Sequence, residues 1–287
     1  MKFQFIQEYC WEFGVRRMCR VLNVSKSRYY AWKKKPLSNR EKEDSRILVE
    51  IKDIHHNNRQ TYGVPRMQKT LIDNGFKCGK NRIGRIMREN GIKPKTVKKF
   101  KATTDSRHNL EVFPNLLNRN FKPEKPNQVW VSDITYVPTQ EGWLYLCIVL
   151  DLFSRKIIGW SMSENMKSEI VVKALKMAFW KRNVPEGLVF HSDRGSQYAS
   201  IEVRSYMKNK GVVQSMSRKG NCWDNAPAES FFKTLKVEEL YFKVFKSREK
   251  AKSVIFDYIE VFYNRRRLHS TLGYVSPERY EALNEVA

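Results

Sequence analysis

Val129-Trp130-Val131-Ser132-Asp133-Ile134-Thr135-Tyr136-Val137 is a run of β-branched and aromatic residues with an aspartate at its centre. Such a run predicts a strand, and an aspartate within it is costly unless a ligand or partner compensates it. Outward from it, residues 143–150 and 156–161 read as two further strands, the second entered through a turn at Phe153-Ser154-Arg155. A helix near 168–180 follows, then a strand over 188–191 that ends at Asp193. A short helix over 201–209, a fifth strand over 212–216 and a helix from about 225 to 238 complete the pattern. Three strands in a meander, then alternating helix and strand, predict an α/β fold: a five-stranded mixed sheet flanked by helices.

Upstream, the periodicity is helical. Val15, Met18, Cys19 and Leu22 share one face, Asn23 suits a left-handed turn, and Ser25 is a good N-cap for the segment Lys26–Trp32. Residues 1–36 therefore read as a helix-turn-helix, with Lys26 and Arg28 placed where a recognition helix meets DNA; a plain helical hairpin with a charged face is the alternative. Residues 37–92 read as a second small helical domain, built on Ile47, Ile51, Ile54, Ile83, Ile86 and Met87. Residues 93–126, punctuated by Pro and Lys, read as a basic linker. The core then spans 127–240, and 241–287 reads as a helical, basic C-terminal extension holding Arg265, Arg266 and Arg267, a candidate DNA-backbone contact.

Charge divides the same way. The chain has 287 residues with 54 Lys and Arg against 30 Asp and Glu, and residues 1–126 alone hold 30 basic and 12 acidic groups. A basic front of this kind suits a polyanion, because neutralised phosphates release condensed counterions. No apolar stretch reaches 18 residues, which argues against a membrane span. The five cysteines lie far apart without a CxxC pair, so a disulfide framework or zinc knuckle is not expected and a reducing cytoplasm is; DNA partners would place the chain at the nucleoid. His55-His56 lacks a Cys pair at ligand spacing and reads as a helix end.

Phosphoryl transfer by metal ions needs hard oxygen ligands on rigid elements. Asp133 lies inside a strand, Asp193 at a strand tip and Glu229 on the last helix of the core, with 35 residues between Asp193 and Glu229. Asp151 and Asp224 are rivals, but turn and cap positions account for them. Glu229, Lys233 and Lys236 fall at i, i+4 and i+7, one helix stripe, so both lysines are candidates for DNA phosphates. His191 and Arg194 flank Asp193 and are candidates for orienting a phosphate.

Two Asp and a Glu at this spacing, with Lys236 seven residues beyond Glu229, resemble the retroviral-integrase-like, RNase H-fold transposases and integrases. The strings His191-Ser192-Asp193-Arg194-Gly195-Ser196-Gln197-Tyr198, Trp223-Asp224-Asn225-Ala226-Pro227-Ala228-Glu229 and Tyr263-Asn264-Arg265-Arg266-Arg267-Leu268-His269 look like the second-frame product of the IS-three group of bacterial insertion sequences. Tyr62-Gly63-Val64-Pro65-Arg66-Met67 agrees with that group's helical region. The resemblance implies an RNase H-like core whose Asp133, Asp193 and Glu229 are catalytic and bind two Mg2+ ions, with Mn2+ as a substitute. It implies double-stranded DNA partners, namely the element's terminal inverted repeats and a target, and cleavage followed by strand transfer. A homo-oligomer on DNA and an upstream-frame partner are implied too. The zinc-binding front domain of retroviral integrases has no counterpart here, so no zinc is expected. Two other classes stay open on sequence grounds: a non-integrating RNase H-type nuclease, and a DNA-binding regulator with an inactive core.

Overall fold

The computed structural model describes residues 1–34, 38–95 and 112–284. The first two helical units are built as their periodicity dictates. Helices α1 (Lys2–Phe13), α2 (Val15–Val21) and α3 (Lys26–Lys34) close over Ile6, Met18, Cys19 and Tyr29. Asn23 adopts φ 51° in the turn between α2 and α3, and Ser25 accepts the Arg28 backbone N–H. Helix α4 (Asn39–Asn57) opens on a reciprocal capping box between Ser38 and Glu41; α5 (Val64–Asp73) and α6 (Lys80–Glu89) pack on it through Ile47, Ile51, Met67, Leu71, Ile83 and Ile86.

The sheet has five strands in the order β3-β2-β1-β4-β5: β1 (Val129–Thr139), β2 (Gly142–Asp151), β3 (Ile157–Ser163), β4 (Val189–Ser192) and β5 (Val213–Met216). The meander β1-β2-β3 is antiparallel, and β4 and β5 join it parallel to β1. Helices α7 (Glu169–Lys181) and α8 (Ile201–Asn209) cover one face over Trp130, Val149 and Phe190. Helix α7 sits unusually close: a Cβ on Gly159 would meet the Ala174 carbonyl at 2.2 Å, so only glycine fits that point of β3. The other face takes α9 (Ala226–Leu235) and α10 (Arg248–Phe256) over Val131, Leu146, Ile148, Phe231 and Ile255.

Two segments flanking the expected core pack into it. Residues 112–126 are not free linker but a strap on the core: Leu117 is buried, and the Leu116 N–H donates to Ser215 Oγ. Phe113 and Phe121 give that strap apolar surface to bury. The rest of the expected linker, 96–111, lies outside the described residues. The helical stretch after 241 packs into the same core. Tyr258, Ile259 and Phe262 enter the core from a π-helical turn over Asp257–Tyr263, and Asn264 brackets Ile157, accepting its N–H and donating to its carbonyl, each at 2.9 Å. Helix α11 (Pro277–Asn284) is tied in by Glu281, which takes Ser154, Lys156 and Arg182.

The second helical unit docks on this C-terminal region. Arg59, at φ 56°, pairs with Glu239 and Asp257 and lies over the Phe262 ring; the Tyr62 hydroxyl accepts the Leu268 N–H and donates to the Arg266 carbonyl. Among the described residues no helix is long and apolar enough to cross a membrane.

Candidate active site

Strand alternation puts Asp133 on the sheet face that packs against α9, since its neighbours Val131 and Val137 and its cross-strand partner Ile148 all belong to that core. On the other side of β1, the parallel register pairs Val131 with His191. Asp193 follows directly after β4, and its charge acts on Asp133. Glu229 stands in the first turn of α9.

Ser132 explains how three distant segments converge. Its hydroxyl is 2.8 Å from the Tyr198 hydroxyl, five residues beyond Asp193, and its carbonyl accepts the Asn225 side-chain amide, four residues before Glu229, at 2.9 Å. All three residues are buried, so one position beside Asp133 stitches the β4 loop and the start of α9 to β1. Sequence reasoning missed Ser132, Tyr198 and Asn225; Tyr198 and Asn225 lie within the strings that carry the family resemblance, but nothing local singles out their partners.

The electrostatics follow from the convergence. Burial raises the Asp133 carboxyl well above the usual carboxylate range, the Asp193 and Glu229 charges raise it further, and Lys236 opposes them. Glu229 is raised by burial and then by Asp193. Clustered carboxylates that resist ionising are what divalent cations relieve, and an all-oxygen donor set suits magnesium or manganese. Among the described residues no three His, Cys, Asp or Glu side chains close around a single point. A pair of ions does not require that, because two carboxylates can hold each ion while water and phosphate oxygens complete the shell.

The other expected contacts divide. Lys26, Arg28, Lys233, Arg265 and Arg266 are exposed. Arg194 is half-buried, with Nε donating to the Ser217 carbonyl at 2.6 Å. Lys236 departs from the expected stripe. It begins a π-helical turn over Lys236–Leu240, is buried, and lies 5.2 Å over the Tyr136 ring with the Asp133 charge nearby.

Three expectations are corrected outright. His191 is buried between Ser215 Oγ at 2.9 Å and Ser217 Oγ at 3.2 Å, and burial lowers its pKa to about 4; it is a neutral brace between β4 and the end of β5. Arg267 is buried and doubly bonded to Glu238, so its charge is neutralised inside the fold. Asp224, expected as a helix cap, is instead a buried hub for Arg218, Arg119 and Asn115. Hydrogen bonds from Arg218 hold its carboxyl far below the usual range.

Comparison with known proteins assigns residues 123–222 and 229–284 to integrase core domains and 42–100 to an HTH-like domain. The last falls on the second helical unit, not on residues 1–36. The chain is 49% identical to the 31 kDa protein of insertion element IS600 from Shigella sonnei, over 92% of this chain and 97% of that one. It is 40% identical to the transposase InsF of insertion sequence IS3A from Escherichia coli K12, over 99% of each. A simian T-cell lymphotropic virus intasome gives a TM-score of 0.46 at 15% identity, covering 80% of this chain and 73% of that one.

Proposed function

The chain belongs to the IS3-family transposases, with an integrase core and an HTH-like domain, and from that premise we propose that Asp133, Asp193 and Glu229 form a two-metal centre that cuts and joins DNA at the element's ends. The observation that carries this reading is the Ser132 hub, which ties the neighbours of all three carboxylates together and brings their charges within mutual reach. Two bound magnesium ions would activate water or a 3′-hydroxyl and stabilise the in-line transition state. The protein supplies three oxygen donors on a strand, a strand tip and a helix, held by buried hydrogen bonds. Lys236 offsets part of the carboxylate charge, and in this reading exposed Lys233 and half-buried Arg194 meet the phosphate backbone. No covalent protein–DNA intermediate is needed; a trapped phosphotyrosine or phosphoserine adduct would contradict the reading. The direct test is a strand-transfer assay with end-containing duplexes and magnesium, in which joined products are expected and cleavage without joining points to a simple nuclease.

Metal affinity is expected to depend on pH. Because the Asp133 and Glu229 carboxyls are raised, protons compete with metal below neutrality. Calorimetric titration with magnesium should show weaker binding in mildly acidic than in neutral buffer, with protons released on binding. Equal affinity in both buffers contradicts metal ligation by these groups.

Residues 1–36 and 37–92 grip the element's end in this reading, and a homo-oligomer or an upstream-frame partner brings two ends together. Replacing exposed Lys26 or Arg28 with alanine should weaken DNA binding at every sequence and make the salt slope shallower by about one unit for each phosphate no longer neutralised. Fluorescence anisotropy across a salt series measures this; an unchanged slope removes those residues from the interface.

A further inference from the structure

Around Lys236 lies a cavity of about 320 Å³ lined also by Tyr136, Pro138, Trp143, Tyr241 and Phe245. Three of its aromatic residues remain open to solvent: Tyr136 at 39%, Trp143 at 49% and Tyr241 at 44%. Large exposed aromatics clustered in one concavity mark a binding site more often than a fold requirement. Tyr136 and Trp143 meet edge to face at 4.9 Å, and the half-exposed Trp143 offers surface on which a third ring can stack. The platform is firm, because Arg248 on α10 donates to the Trp143 carbonyl and its N–H donates to Glu141, pinning the tip of the β1-β2 hairpin. Lys236 joins the two places: it lines the cavity, sits over the Tyr136 ring and feels the Asp133 charge.

An apolar, aromatic cavity edged by positive charge, one side chain from a strand-cutting carboxylate, is complementary to one component of DNA, the unstacked base. Unpairing a base at a DNA end costs a few kcal/mol of pairing and stacking. Stacking on aromatic side chains returns about 1–3 kcal/mol per base and tolerates any base.

We propose that the Tyr136–Trp143 cavity receives a nucleobase unpaired from the DNA end next to the bond that is cut. This rests on the reading of Asp133, Asp193 and Glu229 as the cutting centre.

The test uses the full chain with duplexes carrying the element's terminal inverted repeat. With 5-iodouracil placed in turn at the nucleotides bordering the cut bond, irradiation in EDTA is expected to crosslink at least one of them to Trp143 or Tyr136. Trp143→Ala should slow cleavage of fully paired ends about tenfold, and Trp143→Phe should retain most of the rate. Mismatching the terminal pairs, which removes the opening cost beforehand, should shrink the Trp143→Ala defect to less than about threefold. Absence of the crosslink at every position, an unaffected rate in Trp143→Ala, or a defect equally large on mismatched ends overturns the proposal. Asp133→Asn on the same DNA separates the two readings. If that variant still cleaves, the carboxylate assignment has failed, whereas the metal-free crosslink reports on the cavity alone.

Discussion

Asp133→Asn is expected to abolish strand cleavage while leaving DNA binding intact. The substitution keeps the shape of the side chain and removes one of three charges that would hold the metal pair. Loss of several kcal/mol of transition-state stabilisation corresponds to a fall of about a thousandfold or more in rate. Stability should move the other way. The folded protein raises the Asp133 carboxyl, so its ionised form is disfavoured by burial and by Asp193 and Glu229. A group raised on folding favours the folded state while protonated, and that contribution is lost as pH climbs through its folded value. At neutral pH the neutral amide therefore relieves repulsion, and the metal-free variant should melt at or above wild type. Magnesium should raise the melting temperature of wild type and not of Asp133→Asn. A variant that melts far lower, or still cuts, contradicts the role given to Asp133.

The second large effect concerns stability rather than chemistry. Arg265, Arg266 and Arg267 are consecutive, yet their side chains have different fates. Arg265 is 64% exposed and only loosely paired with Glu278 at 3.6 Å, whereas Arg267 is 5% exposed and bonded to Glu238 at 2.7 and 2.8 Å. Arg267→Ala leaves the Glu238 carboxylate buried with Tyr258 at 2.7 Å and Arg66 at 3.6 Å. Breaking a buried pair from one side costs about 3–5 kcal/mol. Urea denaturation should show that loss for Arg267→Ala and a change within about 0.5 kcal/mol for Arg265→Ala, while Arg265→Ala alone weakens DNA binding. Replacing Arg267 and Glu238 together with apolar residues of similar volume should recover most of the stability. Equal stability of the two single variants would mean that the buried pair does not hold the fold. The same region anchors the second helical unit through Arg59 and Tyr62, so Arg267→Ala is also expected to loosen that unit, measurable as faster proteolysis near residue 95.

Much of the core is legible in the chain because the signals are local. Alternation marks a strand and a 3.6 period marks a helix, so the runs around Asp133, Ile148 and Val171 announce their elements unaided. The stretch 225–238 reads as one continuous helix, but the structure turns to π-helix at Lys236. That change carries Lys236 inward against Tyr136, away from the solvent stripe that spacing implies. The Pro and Lys texture of 93–126 conceals the strap, because Phe113, Leu117 and Phe121 are too sparse to form a period and find their burial only on the finished sheet.

Element order, the five-stranded core and the three candidate carboxylates follow from residue type and spacing, which are properties of the chain alone. Which charges face solvent, and which are neutralised inside, is set by packing. His191, Asp224 and Arg267 each look like candidates for chemistry, capping or DNA contact when read along the chain, and each proves to be a buried brace. Burial and pairing depend on residues tens of positions away, so no local pattern can report them. Ser132, joined to both Tyr198 and Asn225, has no local mark of the convergence it secures.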